Sequence, residues 1–88
     1  MIFNGKRGEL EIIYELLNLA EGGSRKTPLM YRANLSYNHF MSYINFLLEH
    51  GFLSLDSDES SLENIYCTTE KGKHLLGDIQ NILNQMKD

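Results

Sequence analysis

Apolar residues recur at helical spacing in three parts of the chain, and two short β-type segments lie between the second part and the third. From residue 9 to residue 20 the apolar positions repeat in steps of three and four, which predicts an amphipathic first helix. Glu9 and Glu11 lie in its first turn, where negative charge suits the helix dipole, and Gly22 and Gly23 supply its end. This helix therefore offers one apolar face to a core.

The middle of the chain predicts two helices separated by a tight turn. Thr27 is placed to cap a short helix whose first position is Pro28, where the missing N–H of proline costs nothing, and the helix closes near residue 33. Ser36 then caps a longer helix from residue 37 to residue 50, which Gly51 ends. A short helix, a tight turn and a longer helix match the helix-turn-helix plan of DNA readers.

The longer helix has an apolar face and, opposite it, a narrow polar stripe. The apolar face is formed by Phe40, Ile44, Leu47 and Leu48. The polar stripe is formed by Asn38, Ser42, Asn45 and Glu49. Because Asn can pair bidentately with adenine, we expect Asn38, Ser42 and Asn45 to face bases. Tyr37 is a further base-facing candidate, or a core residue, since it lies toward the apolar side. The alternative is that the stripe is only the solvated face of an ordinary surface helix.

Three basic residues fall close together in an otherwise acidic chain. Arg25 and Lys26 precede the short helix, and Arg32 lies within it. The start of this helix often touches the DNA backbone in helix-turn-helix domains, so we predict phosphate contacts from these three residues and from Tyr31. The alternative is that they are ordinary solubilising charges.

The segments at residues 52–55 and 65–68 contain β-branched or aromatic residues and are separated by a polar stretch, which predicts a β-hairpin with a long loop. A hairpin directly after the recognition helix is the wing of a winged-helix domain. This wing carries Asp56, Asp58, Glu59 and Glu63 and no basic residue. Because like charges repel, we expect the wing to stay off DNA or to face a protein partner.

Thr68 or Thr69 caps a last helix that has a wide apolar stripe. A helix of about 18 residues is roughly 27 Å long, which is more than a domain this small needs to cover its core. We therefore expect its distal part to contact a second copy of the chain. The predicted dimer interface consists of Leu75, Ile79, Ile82, Leu83 and Met86. The alternative is that the stripe folds back entirely on its own domain.

Length and charge narrow the function classes. A chain of 88 residues is a single small domain, too short for a catalytic cleft between two domains. A net charge of −4 argues against indiscriminate nucleic-acid binding. Residues 1–55 carry five basic and five acidic residues, whereas residues 56–88 carry three basic and seven acidic ones. The acidic excess therefore lies outside the predicted helix-turn-helix, and Lys6 and Arg7 form either a basic arm or a frayed terminus.

Catalytic, metal and membrane functions find little support in the sequence. Cys67 is the only cysteine, so no internal disulfide can form, and the scattered histidines predict no metal site. Cys67 and His74 are disfavoured as a catalytic dyad, because one falls in a predicted strand and the other in a helix. We expect no enzyme activity and no cofactor. The chain shows no apolar run of membrane-spanning length and no signal-peptide pattern, so a cytoplasmic location is expected.

Three segments, MYRANLSY, INFLLEHGFL and YCTTEKGKHLL, resemble a group of small archaeal winged-helix proteins regarded as transcriptional regulators, which includes the 10a-type archaeal DNA-binding proteins. In that group a Met-Tyr-basic-Ala segment leads through Leu-Ser-Tyr into the recognition helix, a Leu-Leu-x-x-Gly-Leu/Phe segment starts the wing, and Thr-x-x-Gly opens the final helix. The matching positions are Met30, Tyr31, Arg32, Ala33, Leu35, Ser36, Tyr37, Leu47, Leu48, Gly51, Phe52, Thr69 and Gly72.

This resemblance covers residues 9 to about 86 and implies a homodimer joined through the C-terminal helices, often as an antiparallel coiled coil, with two winged helices presented to duplex DNA. Two features differ from the group. The final helix is shorter than the long coiled coil of the 10a-type members, which leaves the dimer geometry open. The acidic wing and a pI near 5.3 favour a site-specific regulator over an abundant chromatin protein.

The sequence therefore predicts a mainly α fold with a small β-hairpin, a winged helix-turn-helix with a three-helix core. We expect an N-terminal arm at residues 1–8, the winged helix-turn-helix at residues 9–68 and a dimerisation helix at residues 69–88. The expected function is sequence-specific binding of double-stranded DNA by a small dimeric transcriptional regulator. The alternative is a winged-helix protein–protein interaction module that does not read DNA.

Overall fold

The computed structural model describes residues 8–58 and 63–87, which form four helices and a three-stranded antiparallel sheet. The helices are α1 (Glu9–Leu19), α2 (Lys26–Ala33), α3 (Tyr37–Glu49) and α4 (Glu70–Gln85). The strands are β1 (Ser24–Arg25), β2 (Leu53–Asp58) and β3 (Glu63–Thr68), and β3 is the central strand. None of the helices in these ranges has both the length and the apolar character that crossing a membrane requires. The arrangement is the predicted helix-turn-helix followed by a wing.

One apolar core joins the helices to the sheet. Its buried members are Leu16, Leu17, Ala20, Leu29, Ala33, Phe40, Ile44, Leu47, Leu53, Tyr66 and Leu76. Helices α1, α2 and α3 each supply the residues that the helical spacing predicts for their inner faces. At the surface, the Tyr14 hydroxyl of α1 donates to Gln80 Oε1 of α4 at 2.7 Å. Helix α1 thus packs against the helix-turn-helix through this core, and it also packs on α4.

The chain reaches α2 through a strand that the sequence did not predict. Gly23, at φ +89°, makes the turn, and Ser24 and Arg25 then pair with Tyr66 and Ile65 of β3. A β-carbon at position 23 would lie 3.2 Å from Ile65 Cγ2, so the strand approaches β3 closely at a residue that has no side chain. Two residues without apolar alternation carry no strand signal, and only the pairing with β3 makes them a strand.

Helix α2 begins earlier than predicted. Arg25 is its N-cap, with extended backbone angles and no side-chain cap hydrogen bond, and Lys26 is its first residue. The prediction that Thr27 caps this helix is therefore wrong, because β1 holds Arg25 extended and the helix starts directly after it. Pro28 occupies the third helical position instead of the first, which is still in the turn where a backbone N–H has no intrahelical partner.

The turn and the start of α3 follow the prediction closely. Asn34 ends α2 in the left-handed conformation, at φ 56°, and Ser36 caps α3 by accepting a hydrogen bond from the His39 backbone N–H at 3.4 Å. Helix α3 ends at Glu49, and Gly51, at φ +77°, turns the chain into the wing. The recognition helix is therefore anchored at both ends.

Two threonines fasten the start of α4 to the rest of the fold. The Thr68 hydroxyl is buried and donates to the Leu17 carbonyl oxygen of α1 at 2.6 Å. Thr69 is the N-cap of α4: its hydroxyl accepts from the Gly72 N–H at 3.0 Å and donates to the Gly51 carbonyl oxygen at 2.6 Å. Of the two predicted caps, Thr69 is the one used, and it ties α4 to the turn that follows α3.

Candidate nucleic-acid interface

The polar stripe of α3 lies on the molecular surface. Asn38, Ser42, Asn45 and Glu49 are all exposed, whereas Phe40, Ile44 and Leu47 on the opposite side are completely buried. The helix therefore presents amide, hydroxyl and carboxylate groups outward along its length. These groups can donate to and accept from base edges. Their exposure makes base contacts sterically possible, and base reading itself stays a prediction.

Tyr37 is a surface residue and not part of the core. It is 55% exposed, and the Lys26 ammonium lies 4.9 Å from the centre of its ring. This cation–π contact joins the start of α2 to the start of α3. It positions a positive charge beside the first turn of the recognition helix, which the sequence alone did not reveal.

The remaining predicted phosphate contacts lie on or beside α2. Tyr31 is 84% exposed, an unusual position for an aromatic side chain in a chain this small, and Arg32 is also exposed in the last turn of the helix. Arg25 is exposed as well, but its Nε lies 2.9 Å from Glu63 Oε2 at the start of β3. The structure therefore brings one acidic residue of the wing into contact with a predicted phosphate ligand.

One flank of the polar stripe borders an apolar groove between α1 and α3. The groove has a volume of about 460 Å³ and is lined by Glu9, Ile13, His39, Ser42, Tyr43 and Phe46. Phe46 is 43% exposed, and its ring centre lies 4.5 Å from that of His50. Ser42 is therefore a member of the polar stripe that also borders an apolar surface. Sequence reasoning missed this flank because Phe46 stands outside the apolar spacing of Phe40, Ile44 and Leu47.

The wing carries fewer free acidic groups than the sequence suggests. Glu63 is paired with Arg25, and Asp56 hydrogen-bonds with Cys67 of the neighbouring strand. Glu59 and the Asp58 side chain lie outside the part of the chain that the structure describes, as do the predicted arm residues Lys6 and Arg7. Leu55 of β2 is 45% exposed, so the described wing surface is apolar as well as acidic.

The environment of Cys67 opposes a nucleophilic role. Burial raises the pKa of its thiol, and the hydrogen bond and charge of Asp56 raise this pKa further. A catalytic cysteine needs the opposite shift, since the thiolate is the reactive form. Within residues 8–58 and 63–87, no group of three or more His, Cys, Asp or Glu side chains is placed to hold a metal ion.

The predicted dimer residues of α4 divide into two groups. Ile79 is 1% exposed, so its own chain already covers it and it drops out of the predicted interface. Ile82 is 43% exposed, and Leu75, Leu83 and Met86 are half-buried. Helix α1 packs on α4, with the Tyr14 hydroxyl bonded to Gln80. An apolar flank therefore remains available on α4 within the single chain.

Comparison with known proteins gives the same architecture. The model of a winged helix-turn-helix family matches residues 6–87. The uncharacterized protein MJ0287 of Methanocaldococcus jannaschii is 34% identical over 82 residues, which cover 92% of this chain and 78% of that protein. The protein MJ0290 of the same organism is 33% identical over 78 residues, which cover 88% of this chain and 34% of MJ0290.

Two solved structures share the fold. Sso10a-2, a DNA-binding protein from Sulfolobus solfataricus, superposes with a TM-score of 0.79 at 29% identity, over 89% of this chain and 80% of that chain. The PcaV transcriptional regulator from Streptomyces coelicolor superposes with a TM-score of 0.76 at 19% identity, over 84% of this chain and 55% of that chain. The resemblance to archaeal winged-helix proteins of the 10a type is confirmed. The chain belongs to the winged helix-turn-helix family.

Proposed function

We propose that this protein binds double-stranded DNA sequence-specifically, as a homodimeric transcriptional regulator, with α3 in the major groove. The observation that carries the proposal is the exposed polar stripe of α3, with Lys26 and Arg32 on the adjoining short helix. A relative with the same fold, Sso10a-2, is described as a DNA-binding protein. The winged helix-turn-helix family supports the same function for this chain.

The dimensions of α3 suit the major groove. A helix of 13 residues is about 20 Å long, and the groove is about 12 Å wide, which admits one α-helix. Asn38 and Asn45 are seven positions apart, which is close to two helical turns, so both point to the same side. Each can pair with a base edge, and a good bidentate pair contributes about 1–3 kcal/mol of discrimination against the wrong base. Ser42 lies between them.

Positive charge beside α3 supplies the affinity that does not depend on sequence. Lys26 is held against Tyr37 and Arg32 projects from the last turn of α2, while Arg25 stands at the start of the helix. Three phosphate contacts in each protomer of a dimer predict a slope of about −5 for log K against log salt concentration. A slope this steep distinguishes DNA binding from an interaction with an uncharged surface.

The exposed flank of α4 is the surface that we assign to the homodimer. Ile82 is exposed and Leu75, Leu83 and Met86 are only partly covered, so burying them against a second α4 removes apolar surface from water. Two recognition helices then act on one DNA site, which doubles the phosphate contacts. Replacing Ile82 with Asp should convert a species of about 20 kDa into one of 10.2 kDa in sedimentation or light scattering. Asn81→Asp changes the charge equally on the other side of α4 and should leave the dimer intact.

The second candidate is a protein-interaction module that uses the wing. The exposed Leu55 beside Asp56 favours this reading, because an apolar side chain on a wing surface is available for a partner. Its acidic character is weakened, however, by the ion pair between Glu63 and Arg25. A wing partner would be lost on Leu55→Ser, whereas DNA binding through α3 would not change.

Selection from a random duplex pool tests the proposal. The purified protein should enrich one short sequence, arranged as two half-sites if the dimer forms. Binding of the enriched duplex should weaken steeply as salt is added. A protein that enriches no sequence and shifts no duplex at low salt does not bind DNA, and the wing then becomes the surface to examine.

A further inference from the structure

A hollow lies between the start of α2 and the wing, and neither the polar stripe nor the dimer flank uses it. Its volume is about 570 Å³, and it is lined by Arg25, Lys26, Thr27, Pro28, Glu63, Asn64 and Tyr66. Helix α2 contributes one wall and the central strand β3 contributes the other. The hollow therefore joins the helix-turn-helix to the wing.

Two kinds of group in this hollow suit an oxyanion. Arg25 supplies a guanidinium, which matches phosphate geometry better than any other side chain. Helix α2 begins there without a side-chain cap, so its first backbone N–H groups point out of the helix end. The side chain of Tyr66, which is 6% exposed, also lines the hollow.

Glu63 is already paired with the guanidinium of Arg25. Its carboxylate lies 2.9 Å from Arg25 Nε, and both side chains are roughly half exposed to solvent. The contact joins residues 38 positions apart, one at the N-cap of α2 and the other at the first position of β3. In the free protein, therefore, the Glu63 carboxylate of the wing neutralises the Arg25 guanidinium, which lines the hollow.

We infer that this hollow is a binding site for a backbone phosphate of duplex DNA, and that Glu63 competes with that phosphate for Arg25. The inference rests on the proposed DNA binding and adds a regulating residue to it. The Glu63 carboxylate takes up the Nε donor of Arg25, and its negative charge repels a phosphate that approaches the same guanidinium, so the ion pair opposes the backbone contact. The ion pair lowers affinity for every duplex by the same factor. Weak, sequence-independent binding is therefore suppressed, and the base contacts of α3 must supply the rest of the binding free energy.

Four proteins test this competition: the wild type, Glu63→Gln, Arg25→Gln and the double variant, each titrated with a random-sequence duplex at about 0.1 M salt. Because an exposed ion pair is weak, Glu63→Gln should tighten binding by about two- to fivefold. In the Arg25→Gln background the same replacement should change binding by less than about 1.5-fold, since the residue that Glu63 masks is gone.

Glu70→Gln is the matched control for removing one negative charge. Glu70 begins α4, beyond the far end of β3, and the strand separates it from Glu63 by roughly 17 Å, which exceeds the screening length of about 10 Å. This variant should bind as the wild type does.

The outcomes separate this inference from the proposed function. If the wild type binds duplex DNA but Glu63→Gln does not bind it more tightly, or tightens binding equally without Arg25, the competition is refuted while DNA binding stands. If no variant binds duplex DNA, both fail. Inorganic phosphate serves as the second probe: if it perturbs Tyr66 and Asn64 in NMR spectra of Glu63→Gln while duplex affinity is unchanged, the hollow takes a free anion and the DNA contact is refuted.

Discussion

Two glycines of α4, five residues apart, should respond oppositely to the same substitution. Gly72 packs against the turn after α3: a β-carbon there would overlap the Phe52 carbonyl oxygen and lie 2.8 Å from Thr68 Cγ2. Gly77 is exposed, and a β-carbon there meets nothing within 4 Å. Helix propensity favours Ala at both positions, so the difference between the variants isolates the packing of α4 against the turn after α3 and against Thr68.

The neighbours of Gly72 cannot move aside without disturbing the hydrogen bonds that hold them. The Phe52 carbonyl oxygen accepts a hydrogen bond from the Thr69 N–H at 3.1 Å, and Thr68 is itself held by α1. Gly72→Ala should therefore lower the free energy of unfolding by about 3 kcal/mol, at the upper end for an overpacked site. Gly77→Ala should raise it by about 0.5–1 kcal/mol.

Thermal and urea unfolding, followed by circular dichroism at one protein concentration, measure both variants. In a domain of this size, 1 kcal/mol corresponds to about 4–8 °C, so the melting temperatures of the two variants should differ by more than about 12 °C. Equal effects of the two alanines, or a stabilised Gly72→Ala, would refute the close contact between α4 and the turn.

Other predictions concern the α4 cap and the partly buried thiol of Cys67. Thr69→Val removes the hydroxyl that accepts from Gly72 and donates to Gly51, so the free energy of unfolding should fall by about 1–2 kcal/mol in urea titrations. Thr27→Val, at an exposed helical position that caps nothing, should change it by less than about 0.5 kcal/mol. Because burial and Asp56 raise the pKa of Cys67, the thiolate forms at higher pH than in a free cysteine, and alkylation by iodoacetamide should have its midpoint shifted upward in pH. Asp56→Asn should move this midpoint back down, and an unchanged midpoint would contradict the role of the carboxylate.

The elements with strong local signals could be predicted from the sequence. The cap at Ser36, the glycine turn at Gly51 and the apolar spacing of α3 depend on residues close together in the chain, and each lies where the pattern indicates. The outward direction of Asn38 and Asn45 follows from the same periodicity. Local chemistry thus sufficed for the helix-turn-helix and for the order of the wing strands.

Features that depend on distant residues could not be predicted in this way. Strand β1 exists because β3 pairs with it, and that pairing also moves the start of α2 from Pro28 to Lys26. The apolar stripe of α4 identified buried residues but did not show which of them its own chain covers, so Ile79 was assigned to the wrong surface. A count of charges along the sequence likewise cannot predict that Glu63 pairs with Arg25.

The central claim, that the polar stripe of α3 reads bases, is tested most directly by Asn38→Ala on two duplexes: the sequence that the wild type selects and a random sequence of equal length. Loss of a bidentate contact of about 1–3 kcal/mol predicts binding to the selected duplex that is weaker by about 5- to 150-fold, with less than about a twofold change on the random one. Asn84→Ala, which removes an exposed amide from α4, should change neither. Equal weakening on both duplexes, or no weakening on the selected one, would contradict base reading by this helix.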